Sequence, residues 1–277
     1  MASMTQSGTL VDHQFYSGAL NRHMRLHVYL PPRFPDYGGR YPTVYLLHPW
    51  GKTERFWTDA LDLPEVADRL IDSWAVSPFI AVMPQGDKSF FIDAADPAGD
   101  FNMIAQMDPD YFEGALDGYG DYADYLLNDV VRFVERSYPV RTDRDGRAIG
   151  GISMGGTGAA ILGMSMPDAF SAVGIHSPLL YCESCHAPPW IFGLADQAAF
   201  EARDPLHLAQ KLHPKLAPRI GLDCGLEDER SSLTADLHYA LVENGIPHHY
   251  HSHPGDYSVD YWRAHLPEYL GFYAAEW

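Results

Sequence analysis

Residues Gly151-Ile152-Ser153-Met154-Gly155 constrain this chain more than any other stretch. Small residues on either side of a serine let a strand turn sharply into a helix, with the hydroxyl held out at the bend. A lone G-x-S-x-G match is weak, because glycine and serine are common. Here the surroundings agree with it. Arg147-Ala148-Ile149-Gly150 reads as a short buried strand after the turn-forming run Arg141 to Gly146. Gly156-Thr157-Gly158-Ala159-Ala160-Ile161-Leu162 then opens a helix of small residues able to pack close to a sheet. A glycine-rich helix start with an incidental serine is the weaker reading.

The rest of the chain alternates in the same way, which predicts an α/β fold with helices on both faces of a mostly parallel sheet. Leu10–Tyr16 and Met24–Leu30 read as an opening antiparallel pair ended by Pro31-Pro32. Thr43–His48 and Phe79–Met83 are continuous apolar runs of the kind buried on both faces. Further strands are expected near Ser171–His176, Arg219–Asp223 and Pro247–His251. Helices are expected at Glu65–Trp74, Tyr122–Tyr138, Ser231–Asn244 and Tyr261–Ala275. The second of these stops before Pro139, since the residue preceding a proline disfavours helical dihedrals. No composition break interrupts the order, so residues 1–277 read as one domain. Two stretches, Asp93–Asp121 and Ser177–Leu194, do not fit the repeat and are expected as irregular rim loops around a pocket.

With a formal net charge of −18, the chain lacks the concentrated cations that a nucleic acid or an anionic membrane would require. No apolar run approaches the roughly 20 residues that span a bilayer. Met1 to Gly8 is polar, without the basic-then-apolar layout of a signal peptide, so the expectation is a cytoplasmic protein or a mature exported one. The 3 cysteines do not suggest a disulfide framework. Cys182-Glu183-Ser184-Cys185-His186 spells C-x-x-C-H, but a haem would need export, and a zinc there lacks a fourth ligand. A rim loop is the favoured reading, and no cofactor or metal is expected.

Several segments resemble the esterase family of α/β-hydrolases that contains S-formylglutathione hydrolases, feruloyl and acetylxylan esterases and mycolyltransferases. They are Val28–Pro32, Tyr41–His48, Tyr138-Pro139-Val140 through Gly156, and Tyr261-Trp262-Arg263 through Leu270. The resemblance implies an α/β-hydrolase fold and a triad in the chain order serine, acid, histidine. Ser153 is then the nucleophile. The family's G-x-x-D pattern falls on Gly225 and Asp228, making Asp228 the acid, with Asp223 and Glu227 as alternatives. The backbone N–H groups of Trp50 and Met154 are the implied oxyanion donors, although Pro49 stands where the family has glycine.

The histidine position is where the chain departs from the family. Gly245-Ile246-Pro247-His248 and Tyr261-Trp262-Arg263 fix the alignment on either side without a gap, and Tyr257 falls on the histidine, Val259 on a family tryptophan. A phenol of pKa ~10 is a poor base at neutral pH. His253, four residues earlier on the same segment, is the first candidate for a displaced base, and His176 the second. His48, at the end of a strand where the family also has histidine, is expected to support the oxyanion loop and border the substrate. His265 reads as a helix packing or surface residue, and His248, His249 and His251 alternate along a strand without a functional reading. Trp190, His176 and the loop aromatics, among them Trp50, Phe90, Phe91, Tyr111, Phe112 and Tyr181, are expected to line a pocket for a small apolar or aromatic acyl substrate.

Two functions follow. One is a serine esterase or acyltransferase acting on an ester or thioester, with Ser153, Asp228 and a displaced base. The other is a relative without the hydrolytic triad that binds a ligand or catalyses a non-hydrolytic step, with Ser153, Tyr257 and Asp228 positioning groups or passing protons.

Overall fold

The computed structural model describes residues 7–36, 38–95, 118–180, 189–193 and 196–277. Its frame is one eight-stranded sheet in the order β1-β2-β4-β3-β5-β6-β7-β8. β1 (Thr9–Ser17) and β2 (Arg22–Leu30) form the antiparallel hairpin expected from the sequence, and β2 joins β4 (Ile80–Pro84) antiparallel. From there β3 (Thr43–Leu47), β5 (Arg147–Ile152), β6 (Ala172–His176), β7 (Arg219–Gly225) and β8 (His248–His253) run parallel.

Side-chain alternation divides the core into two. Tyr45 and Leu47 of β3 pack on one face, in the cluster that also holds Met154, Ile161 and Val173. Val44 and Leu46 pack on the other, with Trp57, Trp262, Tyr269 and Tyr273. Helix α3 (Met154–Ser165) covers the first face, and α1 (Leu63–Asp72) and α6 (Val259–Ala274) cover the second. α6 is entered through Ser258, whose hydroxyl accepts from the Tyr261 N–H at 3.3 Å. Its last turns lie so close to the sheet that a Cβ at Gly150 or at its strand partner Gly174 would stand 1.6 or 2.1 Å from the Tyr273 hydroxyl. Only glycine fits at those two positions.

The helix expected at Tyr122–Tyr138 is not uniform. A turn at Tyr122–Asp124 leads into a π-helical stretch, Tyr125–Val130, before α2 (Val131–Ser137) resumes the α geometry. The apolar spacing does not report which carbonyl each N–H bonds, so it does not distinguish the two windings. Tyr138 is extended, with ψ 151°, ahead of Pro139 as expected. Short helices α4 (Pro205–Lys211) and α5 (Ser231–Glu243) complete the first face and the crossover into β8. No helix among the described residues is long and apolar enough to cross a membrane. Most of the two expected rim loops, with Tyr111, Phe112, Tyr181, Cys182, Cys185 and His186, lies outside the described residues.

Candidate active site

Ser153 sits between β5 and α3 with φ 60° and ψ −119°, a conformation that non-glycine residues seldom adopt. The neighbouring strand holds it there. The Ser153 N–H donates to the His176 carbonyl at 3.0 Å, and the Ser153 carbonyl accepts from Leu179 N–H at 3.1 Å and Thr157 N–H at 3.0 Å. With the backbone fixed at both ends, the side chain leaves the sheet at the bend.

Its hydroxyl oxygen accepts a hydrogen bond from the Tyr257 phenol. Among the described residues no imidazole bonds to Ser153 Oγ. Tyr257 is fixed on two sides: its ring stands edge-on to Trp262 at 4.9 Å, and the Arg230 guanidinium lies 4.8 Å from the ring centroid. Burial pushes the phenol above its ordinary value of 10.0; the Ser153 hydrogen bond and the Arg230 charge pull it down, and Asp228 pushes it up. Arg230 carries no sequence signal for this place, because it reaches the ring only when its loop is folded against Tyr257.

Asp228 is 3% exposed, in the loop between β7 and α5. It accepts the Arg230 N–H at 2.9 Å and makes no direct bond to the phenol. This loop and the one carrying Tyr257 are joined. Leu226 N–H donates to the His253 carbonyl at 2.8 Å, and Glu227 N–H to the Gly255 carbonyl at 3.0 Å, while the Glu227 carboxylate accepts from Gly255 N–H. A Cβ at Gly225 would stand 2.1 Å from the Gly255 carbonyl oxygen, so the close approach requires glycine.

The two histidines expected as bases have their rings engaged elsewhere. His253, expected as the displaced base, turns its ring to α6, where it stacks on His265 at 4.2 Å and places Nε2 3.2 Å from Glu268. Strand alternation decides this, since His253 shares its face of β8 with His251. His176, expected as an alternative base and at the substrate, has both ring nitrogens engaged beneath the sheet. Nδ1 lies 2.5 Å from Asp223 and Nε2 2.7 Å from the Tyr273 hydroxyl, with the ring stacked on Tyr269 at 3.6 Å. Asp223 also accepts from the Tyr261 and Tyr269 hydroxyls at 3.0 and 2.9 Å, which makes it the centre of a buried polar network away from Ser153. His48, expected to support the oxyanion loop and border the substrate, is 1% exposed and holds the loop after β3. Its Nδ1–H donates to the Pro49 carbonyl at 2.9 Å, its Nε2 accepts from Gly86 N–H at 2.9 Å, and burial lowers its pKa to about 4.

Neither of the two expected oxyanion N–H groups has a backbone partner among the described residues. Met154 is the first residue of α3, where an N–H has no partner inside the helix. The turn after His48 is closed by Lys52 N–H to the Pro49 carbonyl at 3.1 Å, and Trp50 N–H has no backbone partner among the described residues. The Trp50 ring leans on Phe90 at 5.7 Å, and Phe90 in turn meets Phe192 at 5.0 Å. Trp190 lies in the turn Pro189–Phe192, but its side chain is outside the described residues.

A mostly parallel sheet of this order, with a serine on a strained strand-to-helix bend, defines the class: an esterase-like hydrolase of the α/β-hydrolase fold. The chain matches the profile described as "Putative esterase" over residues 17–273, and it belongs to that family of carboxylic ester hydrolases. It is similar to the acetyl esterase of Caldicellulosiruptor saccharolyticus, at 23% identity over 280 residues covering 93% of this chain and 95% of that protein. It is also similar to an endo-1,4-beta-xylanase/feruloyl esterase of Xylanibacter ruminicola, 26% identical over 177 residues; the match covers 61% of this chain and only 22% of that longer protein. Among solved structures, a ferulic acid esterase superposes with a TM-score of 0.80 at 23% identity, over 99% of this chain and 100% of the other. An S-formylglutathione hydrolase from Agrobacterium tumefaciens superposes with a TM-score of 0.76 at 18% identity, over 99% and 97%. At these identities the structural likenesses show the shared fold.

Proposed function

We propose that the chain is a serine esterase-like hydrolase or acyltransferase for an ester or thioester of a small aromatic or apolar molecule, in which Tyr257 replaces the usual imidazole. The hydrogen bond between the Tyr257 phenol and Ser153 Oγ carries this reading. Ser153 attacks the acyl carbon, and the N–H groups of Trp50 and Met154 receive the oxygen that becomes negative. The half-buried Trp50 ring, packed on the buried Phe90 beside the expected oxyanion position, supports an apolar or aromatic acyl group. The relatives that act on feruloyl and acetyl esters support the same substrate class.

A serine must lose its proton as it attacks, and only the phenolate form of Tyr257 can take it. Burial holds the phenol above 10.0, so the phenolate is a fraction on the order of 10⁻³ or less at pH 7. Esterase activity is therefore low at neutral pH. It rises about tenfold per pH unit toward pH 10, because the basic form grows in that proportion below its pKa. Initial rates on p-nitrophenyl acetate from pH 6 to 10, each corrected by the Ser153→Ala variant, test this. A plateau beginning near pH 7 would mean that an imidazole serves the serine and would overturn the role of Tyr257.

A second reading is a non-hydrolytic or ligand-binding role. It is favoured by Asp228, which accepts the Arg230 N–H rather than bonding to the phenol, so that the acid does not polarise the group on the serine. A neutral phenol on Ser153 is then a proton donor or an anchor. A fluorophosphonate probe separates the two readings. A covalent adduct by intact mass, absent in Ser153→Ala, supports the esterase, and no adduct supports the second reading.

A further inference from the structure

The geometry points to a surface site for a zinc-class divalent cation built from His251, His253 and Glu268, outside the machinery around Ser153. His251 and His253 are two residues apart on β8, so their rings project from the same face of the strand, nearly parallel at 5.7 Å between centroids and 4° between planes. Glu268 comes from the facing α6. Among the described residues, these three offer donor atoms that all lie within 4.8 Å of one another.

The spacing is close to that of one ion. A tetrahedral zinc with ligands ~2.0–2.2 Å away separates those ligands by roughly 3.3–3.6 Å. One Glu268 oxygen lies 3.8 Å from His251 Nε2 and the other 3.2 Å from His253 Nε2, and with the three donor atoms within 4.8 Å of one another a small side-chain rotation draws them onto one ion. His253 Nε2 is closed off from solvent but is not aligned for a hydrogen bond to the carboxylate near it. His265 completes the support: its ring stacks on His253 at 4.2 Å, and its Nδ1 lies 3.5 Å from Glu268.

The donor set selects the ion. Two imidazole nitrogens and one carboxylate suit Zn²⁺, Ni²⁺, Co²⁺ or Cu²⁺, whereas Mg²⁺ and Ca²⁺ prefer oxygen ligands throughout. His251 and Glu268 side chains are 51% and 44% exposed, which leaves the outer positions of the ion open to water. A cavity of ≈ 250 Å³ opens beside them, between the sheet and α6. The net charge of −18 raises the local concentration of cations around the whole chain. A bound ion clips the edge strand β8 to α6, at the foot of the segment that leads to Tyr257.

The test is isothermal titration of the full chain with ZnCl₂, and separately with MgCl₂, beside the variants His251→Ala, His253→Ala, Glu268→Gln and Cys182→Ser/Cys185→Ser. One zinc site per chain is expected. Its affinity should fall at least tenfold in each of the first three variants, stay unchanged in the double cysteine variant, and have no counterpart with Mg²⁺. A hundredfold excess of zinc over Kd should also raise Tm by about 5 °C in the parent and not in His253→Ala. Circular dichroism shows whether each variant is folded. Zinc binding that survives in folded His251→Ala and His253→Ala, or no zinc binding by the parent, would make the group an ion-pair cluster only and overturn the proposal.

Discussion

At the scale of single residues, the proposed function turns on the exchange of imidazole for phenol at Tyr257. An imidazole of pKa ~6.5 is largely unprotonated at pH 7, whereas a buried phenol keeps its proton. Tyr257→His should raise kcat/KM for a p-nitrophenyl ester at pH 7 by at least tenfold, with a plateau above about pH 7 in place of the continuing rise of the parent. Stopped-rate assays over pH check it, and an unchanged profile would show that position 257 does not govern the serine. His48 carries a second prediction, on stability. Its folded pKa of about 4 lies below the unfolded 6.5, so the unfolded chain takes up more protons between those values. The contribution is fully present above pH 6.5 and is lost as pH falls toward 4. At 1.36 kcal/mol per pKa unit it amounts to about 3 kcal/mol. Urea midpoints measured from pH 4 to 7 should show this slope, and His48→Gln should flatten it.

At the scale of elements, the site depends on how loops and helices are tied together. The loop carrying Asp228 and the loop carrying Tyr257 meet at Gly225, where a Cβ would stand only 2.1 Å from the Gly255 carbonyl oxygen. Gly225→Ala should cost about 1–3 kcal/mol and reduce fluorophosphonate labelling of Ser153, since the two loops must separate. Labelling at the parent rate in the folded variant would show that the loops are not coupled to the serine. Helix α6 is tied to the sheet through Asp223, which accepts from His176, Tyr261 and Tyr269. Asp223→Ala leaves three buried donors without their acceptor, and a loss of about 3–5 kcal/mol is expected by urea denaturation. Most of the strands and longer helices were legible in the sequence because their patterns are local: Thr43–Leu47 is apolar throughout, while the start of α6 at Val259, two residues before the expected Tyr261, and the short α4 were not. The π-helical stretch was not, because the burial of Tyr125 and Leu126 does not reveal the hydrogen-bond spacing of the backbone beneath them.

At the scale of the whole molecule, a charge of −18 spread over 277 residues opposes compaction and repels polyanions. Raising NaCl from 0.05 to 0.5 M (roughly a threefold shorter screening length) should raise Tm, and no retention on heparin is expected at the lower salt. A Tm that falls with added NaCl would show that attractive pairs such as Arg25–Glu54, 2.7 Å apart, outweigh the net repulsion.

What the sequence determined by itself is what adjacent residues can enforce. Gly151 to Gly155 makes a strand turn into a helix at Ser153, and the gap-free spacing between Pro247 and Tyr261 puts a tyrosine where an imidazole is expected. Which histidines were engaged, and with what, was settled only by the tertiary structure. Fourteen histidines are too many to separate by type, and each partner lies far along the chain: Asp223 is 47 residues from His176, and Ser153 is 104 residues from Tyr257. Strand alternation turned His253 toward α6, and the pairing of β5 with β6 carried His176 beneath the sheet. Both outcomes depend on sheet register and helix packing, which arise between segments and leave no trace in the spacing of neighbours.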